Sequence, residues 1–192
     1  MMLIKILYLS HTLEAIVKFF GKIGAWLSIP LIFIIIFDII TRRFLILGST
    51  KIQEMEWHLH TAIFLLALGF AYIKNSHVRI EIIREKYSPI LKSIFEIVGI
   101  LFFLVPYTFM IIYYGFDFVS RSYNLNEVSS ALTGLSHRWI IKSFIPLGML
   151  LLFLAGFSIL IKNIAYLGFK FKKDKQSLKT LLEKYPEFKE TK

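Results

Sequence analysis

The sequence predicts an all-α membrane protein with four transmembrane helices. The first observation is composition: of 192 residues, 56% are hydrophobic and only 19% charged, against roughly 25% charged in soluble chains, and the mean hydropathy is +0.65. The second is distribution. Ile23–Phe37, Trp57–Ile73, Ile97–Phe116 and Ser143–Ile161 contain no Asp, Glu, Lys or Arg. A helix rises 1.5 Å per residue, so about 20 residues cross a hydrocarbon core of roughly 30 Å. Backbone in lipid must satisfy its own hydrogen bonds, as helices or closed barrels do. Barrel strands alternate in polarity, whereas Pro30–Phe37 (PLIFIIIF) does not.

The elements follow in order. Residues 1–19 form an N-terminal amphipathic helix. His11, Glu14, Lys18 and Lys22 make one polar stripe, opposite Leu7, Leu13, Ile16, Val17 and Phe20, which suits a helix lying in the inner interface or a cytoplasmic extension of the first span. Glu14 and Lys18 interrupt any signal-peptide core, and no A-x-A site follows. Residues 20–168 hold the transmembrane domain, with spans at about 20–41, 56–74, 94–118 and 140–164. Residues 169–192 form a basic, soluble tail, in which Ser177 caps a short helix bearing Leu178, Leu181, Leu182 and Tyr185 and ended by Pro186.

The formal charge of +10 is an orientation signal. Of 23 Lys and Arg, 17 fall in the N-terminal arm, the middle loop and the tail, on one side of the membrane. The positive-inside rule places both termini in the cytoplasm. The surplus is read as orientation and anionic-lipid contact, not as a nucleic-acid patch. A tandem repeat also suggests itself. Phe37–Phe44 (FDIITRRF) parallels Phe116–Tyr123 (FDFVSRSY), each with Asp and Arg four apart on one helix face, so helices 1–2 and 3–4 read as two hairpin repeats.

Polar residues gather at the membrane edges. Asp38 can pair with Arg42, and Glu54 and Glu56 open helix 2, where the positive helix end favours acids. His58 and His60 lie four residues after them, within reach of side-by-side contact. A bis-His haem pair such as His58 with His137 is geometrically open, giving a second reading as a haem-binding membrane anchor of a redox enzyme. The outer loop carries Glu127, Ser129, Ser130 and His137, and Arg138, Trp139 and Lys142 read as an interface anchor. Walker, G-x-G-x-x-G, G-x-S-x-G and H-E-x-x-H motifs are all missing, so nucleotide hydrolysis, dinucleotide binding and serine or zinc hydrolysis find no support. Cysteine is absent, which excludes disulfides and thiol nucleophiles. No span clusters charges at its middle, where a self-sufficient carrier places them. The chain reads as a subunit, not an enzyme.

Several short motifs then share an order. Asp38-x-x-x-Arg42 precedes Glu54-x-Glu56-Trp57, then Leu68-Gly69-x-Ala71-Tyr72 and Lys74-x-x-His77-Val78-Arg79-Ile80-Glu81, then Glu127-x-Ser129-Ser130 and Arg138-Trp139-Ile140-x-Lys142. This pattern resembles the small membrane subunit of TRAP (tripartite ATP-independent periplasmic) transporters, which usually has Asp where Glu81 stands. The resemblance implies a multi-pass scaffold in the bacterial inner membrane, working beside a large membrane subunit and a periplasmic substrate-binding protein. It implies uptake of an organic acid or similar solute, with sodium as the coupling ion of the complex and no cofactor bound by this subunit. It further implies that Asp38, Arg42, Glu54, Glu56 and Trp57 fix the outer helix ends or face a partner, and that His77, Arg79 and Glu81 order the inner loop.

Overall fold

The computed structural model describes residues 2–45, 48–76, 87–172, 174–185 and 188. All regular structure among them is helical. Four segments are long and apolar enough to cross a membrane: Leu7–Phe44, Thr50–Ile73, Pro89–Asn124 and Trp139–Phe171. Each exceeds or matches the charge-free stretch that marks it, because the flanking turns continue as helix and pack on their neighbours.

The first segment is a nearly continuous pair, α1 (Met2–Trp26) and α2 (Ser28–Phe44). Pro30 explains the joint: it has no N–H to give Trp26, and its ring crowds that carbonyl. Ser28 answers with a hydroxyl bond to the Ala25 carbonyl at 2.6 Å. The expected boundary between residues 19 and 20 is therefore not where the chain divides; helix runs through it to Trp26. Nor does the whole polar stripe face outward, since Glu14 is buried and paired within the bundle.

Thr50–Ile73 forms α3. The next segment opens with α4 (Pro89–Gly99), where Ser88 accepts the Leu91 N–H and Pro89 occupies the first turn, a position in which proline sacrifices no helical bond. A π-helical turn at Ile100–Leu104 leads into α5 (Val105–Asn124). The wider turn sits just before Pro106, whose ring would clash in a regular helix. Thr108 donates to the Leu104 carbonyl at 2.8 Å.

Helix α6 (Trp139–Phe171) is the longest element, with 33 residues, or about 50 Å. It packs against α1, α3, α4 and α5. Half of its most apolar window is buried, against 11% for Pro89–Asn124, so α6 is the axis around which the others stand. The tightest approach is to α3. A Cβ on Gly148 would lie 2.8 Å from the Leu65 carbonyl oxygen, and one on Gly69 would lie 2.7 Å from that of Leu151. Lipid tails are as apolar as leucine, so helix association depends on such close packing and on interhelical polar contacts.

The C-terminal tail departs from expectation. Its short helix α7 (Lys175–Lys184) is capped by Asp174, which accepts the Ser177 N–H at 3.1 Å; Ser177 is not the cap. The segment is not a free soluble tail. Leu181, Tyr185 and Phe188 are buried against Ala165, Tyr166 and Phe169 of α6, with Leu7 of α1 beside them. The Tyr166 and Phe188 rings stack at 4.8 Å. Lys175 and Lys179 of the same helix are exposed.

Candidate functional site

Side chains of interest collect at the two ends of the bundle. At the loop end, Asp38 is 3% exposed and accepts from the Arg42 guanidinium one turn on. The same guanidinium lies against Gln53 of α3; with the Gln53 amide turned to satisfy its neighbours, its oxygen accepts from Arg42 Nη2 at 2.9 Å. Two helices are thereby tied across the connection that joins them. The parallel pair Asp117–Arg121 also forms, at 3.0 Å, but both side chains are more than 60% exposed. It is a surface pair worth about 0–1 kcal/mol, whereas in the Asp38 pair the carboxylate is buried and Arg42 is half exposed.

Glu54 is engaged by the loop between α5 and α6. The Ser129 hydroxyl donates to its Oε1 and the Leu135 N–H to its Oε2 at 2.6 Å. Nearby, the Thr133 hydroxyl donates to Thr50 at 3.2 Å. Glu54 and His58 act on each other electrostatically, as their spacing predicts, but the hydrogen bonds to Glu54 come from donors that a distant loop brings in. Glu127 anchors the other side of the loop. Its carboxylate takes the Lys142 ammonium, its carbonyl accepts the Arg138 N–H at 3.2 Å, and its own N–H donates to Ser122 at 3.1 Å. The Lys142 bond holds the Glu127 carboxyl below its ordinary range. Lys142 also lies 3.9 Å over the Phe118 ring. Arg138 sits close enough to act electrostatically on both Glu54 and Glu127. Trp139 meets Tyr123 edge to face at 5.4 Å.

Six of the predicted residues thus make two sets of ties at this end: Asp38 with Arg42, and Glu54, Glu127, Arg138 and Lys142 around the loop between α5 and α6. Trp57 is separate and 66% exposed. Glu56 is partly buried, with no hydrogen-bond partner for Oε1. His77, Arg79 and Glu81 lie outside the described residues. His137 stands at a positive φ of 60°, its ring 2.9 Å from the Ser136 hydroxyl.

The opposite end holds a cluster that sequence reasoning did not assemble. Glu14 of α1 takes the ammonium of Lys162 of α6, with Lys18 as a second partner at 2.9 Å. The side chains of Glu14 and Lys162 are 6% and 9% exposed. Ser10 and Ser158 meet at 3.0 Å beside them, and Ser158 reaches Glu14 Oε1 at 3.3 Å. Lys162 lies 4.3 Å over the ring of Tyr185 from the tail. One signal was available: Glu14 is the only acid before Asp38 in a strongly apolar stretch, and such a charge needs a buried partner.

These features describe a bundle of four membrane-spanning-length helical segments with polar ties at each end. Residues 31–165 match the family of tripartite ATP-independent periplasmic transporters, DctQ component. The chain belongs to that family. Comparison with curated proteins finds no match. The DctQ match takes in α2 to nearly the end of α6, with the loop-end ties and Lys162. Glu14 and α7 lie outside it. The family makes the chain a multi-pass membrane protein and a transporter component, not an enzyme, and it carries the transport reading over the haem-anchor reading.

Proposed function

We propose that the chain is the small scaffold subunit of a secondary transporter, holding a large membrane subunit that contains the solute path. The DctQ match is the observation that carries this reading. The position of the polar groups supports it: the charged side chains described above lie at the ends of the bundle, and the span middles are free of charge. A path for a charged solute needs polar or broken segments near the midplane. A bundle tied at both ends suits the fixed part of a carrier, against which another part moves.

In the same reading a periplasmic binding protein delivers an organic acid or similar solute, and a sodium gradient drives its uptake. Both termini are cytoplasmic, in the inner membrane of a bacterium, and Glu56 and exposed Trp57 stand on the outer rim, facing a partner. Asp38 and Asp117 occupy equivalent places in two hairpin repeats. Absence of native cysteine makes orientation easy to test. A single cysteine at exposed Ser130 labels with an impermeant thiol reagent in intact spheroplasts, while one at Lys179 labels only after lysis; the reverse pattern rejects the orientation. For function, Glu56→Ala lowers solute uptake and recovery of the large subunit in pull-downs. Normal uptake with normal pull-down rejects the role given to Glu56.

A further inference from the structure

At the end of the bundle that holds the Glu14–Lys162 pair, a cavity of about 60 Å³ opens between α4, α6 and the tail. This exceeds the roughly 10–15 Å³ a single water needs. Its described lining includes Lys92 and Ser93 of α4, Asn163 and Lys162 of α6, and Phe188 of the tail. Ser93 is only 2% exposed, yet its hydroxyl has no hydrogen-bond partner. Ser122 is another buried helical serine whose hydroxyl is left so. Thr12, Thr41, Thr61, Thr108 and Thr180 each donate to the carbonyl four residues earlier, the ordinary outlet for a helical hydroxyl. Ser93 forgoes it, and a buried hydroxyl left unpaired costs free energy.

Lys92 stands next to it, with no ion pair among the described residues, whereas the neighbouring Lys162 is already engaged by Glu14. Among the described lining residues the acid is Glu96, which accepts from the neutral Tyr72 hydroxyl at 2.9 Å and keeps its charge. The cavity thus offers an ammonium and an unsatisfied hydroxyl on adjacent residues, with Lys162 adding positive potential behind them. We propose that this cavity binds a phosphate group, with Lys92 and Ser93 as its donors. The oxygens of a phosphate accept charge-assisted hydrogen bonds from an ammonium and a hydroxyl together. Two sources share this chemistry, a phospholipid headgroup and a soluble phosphate. Ile94, Phe95 and Val98 continue the same helix as exposed apolar surface, where acyl chains of the first source would lie.

The test uses the full-length purified chain and needs no transport assay, so it stands or falls apart from the proposed transport role. In one arm, delipidated protein receives phosphatidylglycerol, and lipid retention is counted by native mass spectrometry while thermal stability is followed. In the other arm, inorganic phosphate is titrated and 31P line width is read. Wild type responds in the lipid arm if the source is a headgroup, and in the phosphate arm if it is soluble. Lys92→Gln and Ser93→Ala each weaken that response by about tenfold or more, as loss of a bond to a charged group implies, and Lys92→Arg retains most of it. The exposed control Lys51→Gln leaves it unchanged. A cavity that holds ordered water only gives no response in either arm, or one identical in wild type, Lys92→Gln and Ser93→Ala, and either result overturns the proposal.

Discussion

Glu14→Gln should be among the most damaging single changes to the fold, and clearly worse than Lys162→Met. Removing one member of a buried ion pair costs about 3–5 kcal/mol, because the survivor keeps its charge without compensation. The two survivors are not equally placed. Without Glu14, Lys162 is buried with the Tyr185 ring 4.3 Å away and no other ion-pair partner among the described residues. Without Lys162, Glu14 keeps Lys18 at 2.9 Å and the Ser158 hydroxyl at 3.3 Å. Glu14→Gln therefore takes the full cost, and Lys162→Met roughly half or less of it. For a chain of this size each kcal/mol moves the midpoint by about 2–4 °C, so the first variant loses on the order of 10 °C. The double variant Glu14→Gln/Lys162→Met leaves no stranded charge and recovers most of the loss, since apolar replacement of a whole buried pair is often near neutral. Thermal unfolding in detergent, read by loss of monodisperse protein on a sizing column, ranks the four proteins. A double variant as unstable as Glu14→Gln, or a Lys162→Met at least as unstable, would refute the reasoning.

Other expectations follow from neighbouring geometry. Gly148→Val, which places side-chain atoms where Leu65 already sits, lowers stability by about 1–3 kcal/mol, whereas valine at Gly99, where nothing lies within 4 Å, costs far less; the same unfolding assay compares them. Glu54→Ala frees the loop between α5 and α6 from its Ser129 and Leu135 bonds, so protease cleavage at exposed Leu132 accelerates while the helices stay intact. Glu127 gives a pH dependence. Its folded pKa is held below the ordinary 4.5 by Lys142, so its stabilising effect is complete above 4.5 and fades as pH falls through the lower folded value. Pepsin cleavage of the loop should rise in that acid window, and rise less in Glu127→Gln, where the Glu54 ties alone remain to titrate. Truncation after Lys173 uncovers Tyr166 and Phe169, and lowers stability; an unchanged midpoint would show that the tail is not docked.

The spans were legible because four charge-free stretches have no other physical home. Asp38–Arg42 was legible because its four-residue spacing is local. The ties that matter most at the loop end were not, since Glu54 finds Ser129 and Leu135 across 75 and 81 residues, and spacing says nothing at that range. Glu14 was visible as a charge but assigned to the inner interface, because a stripe of His11, Glu14, Lys18 and Lys22 reads the same whether it faces headgroups or a second helix. The tail misled in the opposite sense. Its lysines dominate the composition, while Leu181, Tyr185 and Phe188 form the narrow face that docks. Pro30, which sets the joint at Leu27, was present in the sequence, and the apolar run around it concealed its effect.

The most direct test of the scaffold role is reconstitution in proteoliposomes. The large membrane subunit, this chain and the binding protein are combined, and solute uptake is followed under an inward sodium gradient. Uptake with all three, none with this chain alone and little when it is omitted, is the predicted result. Solute uptake by this chain without the large subunit, or undiminished uptake when it is left out, would contradict it.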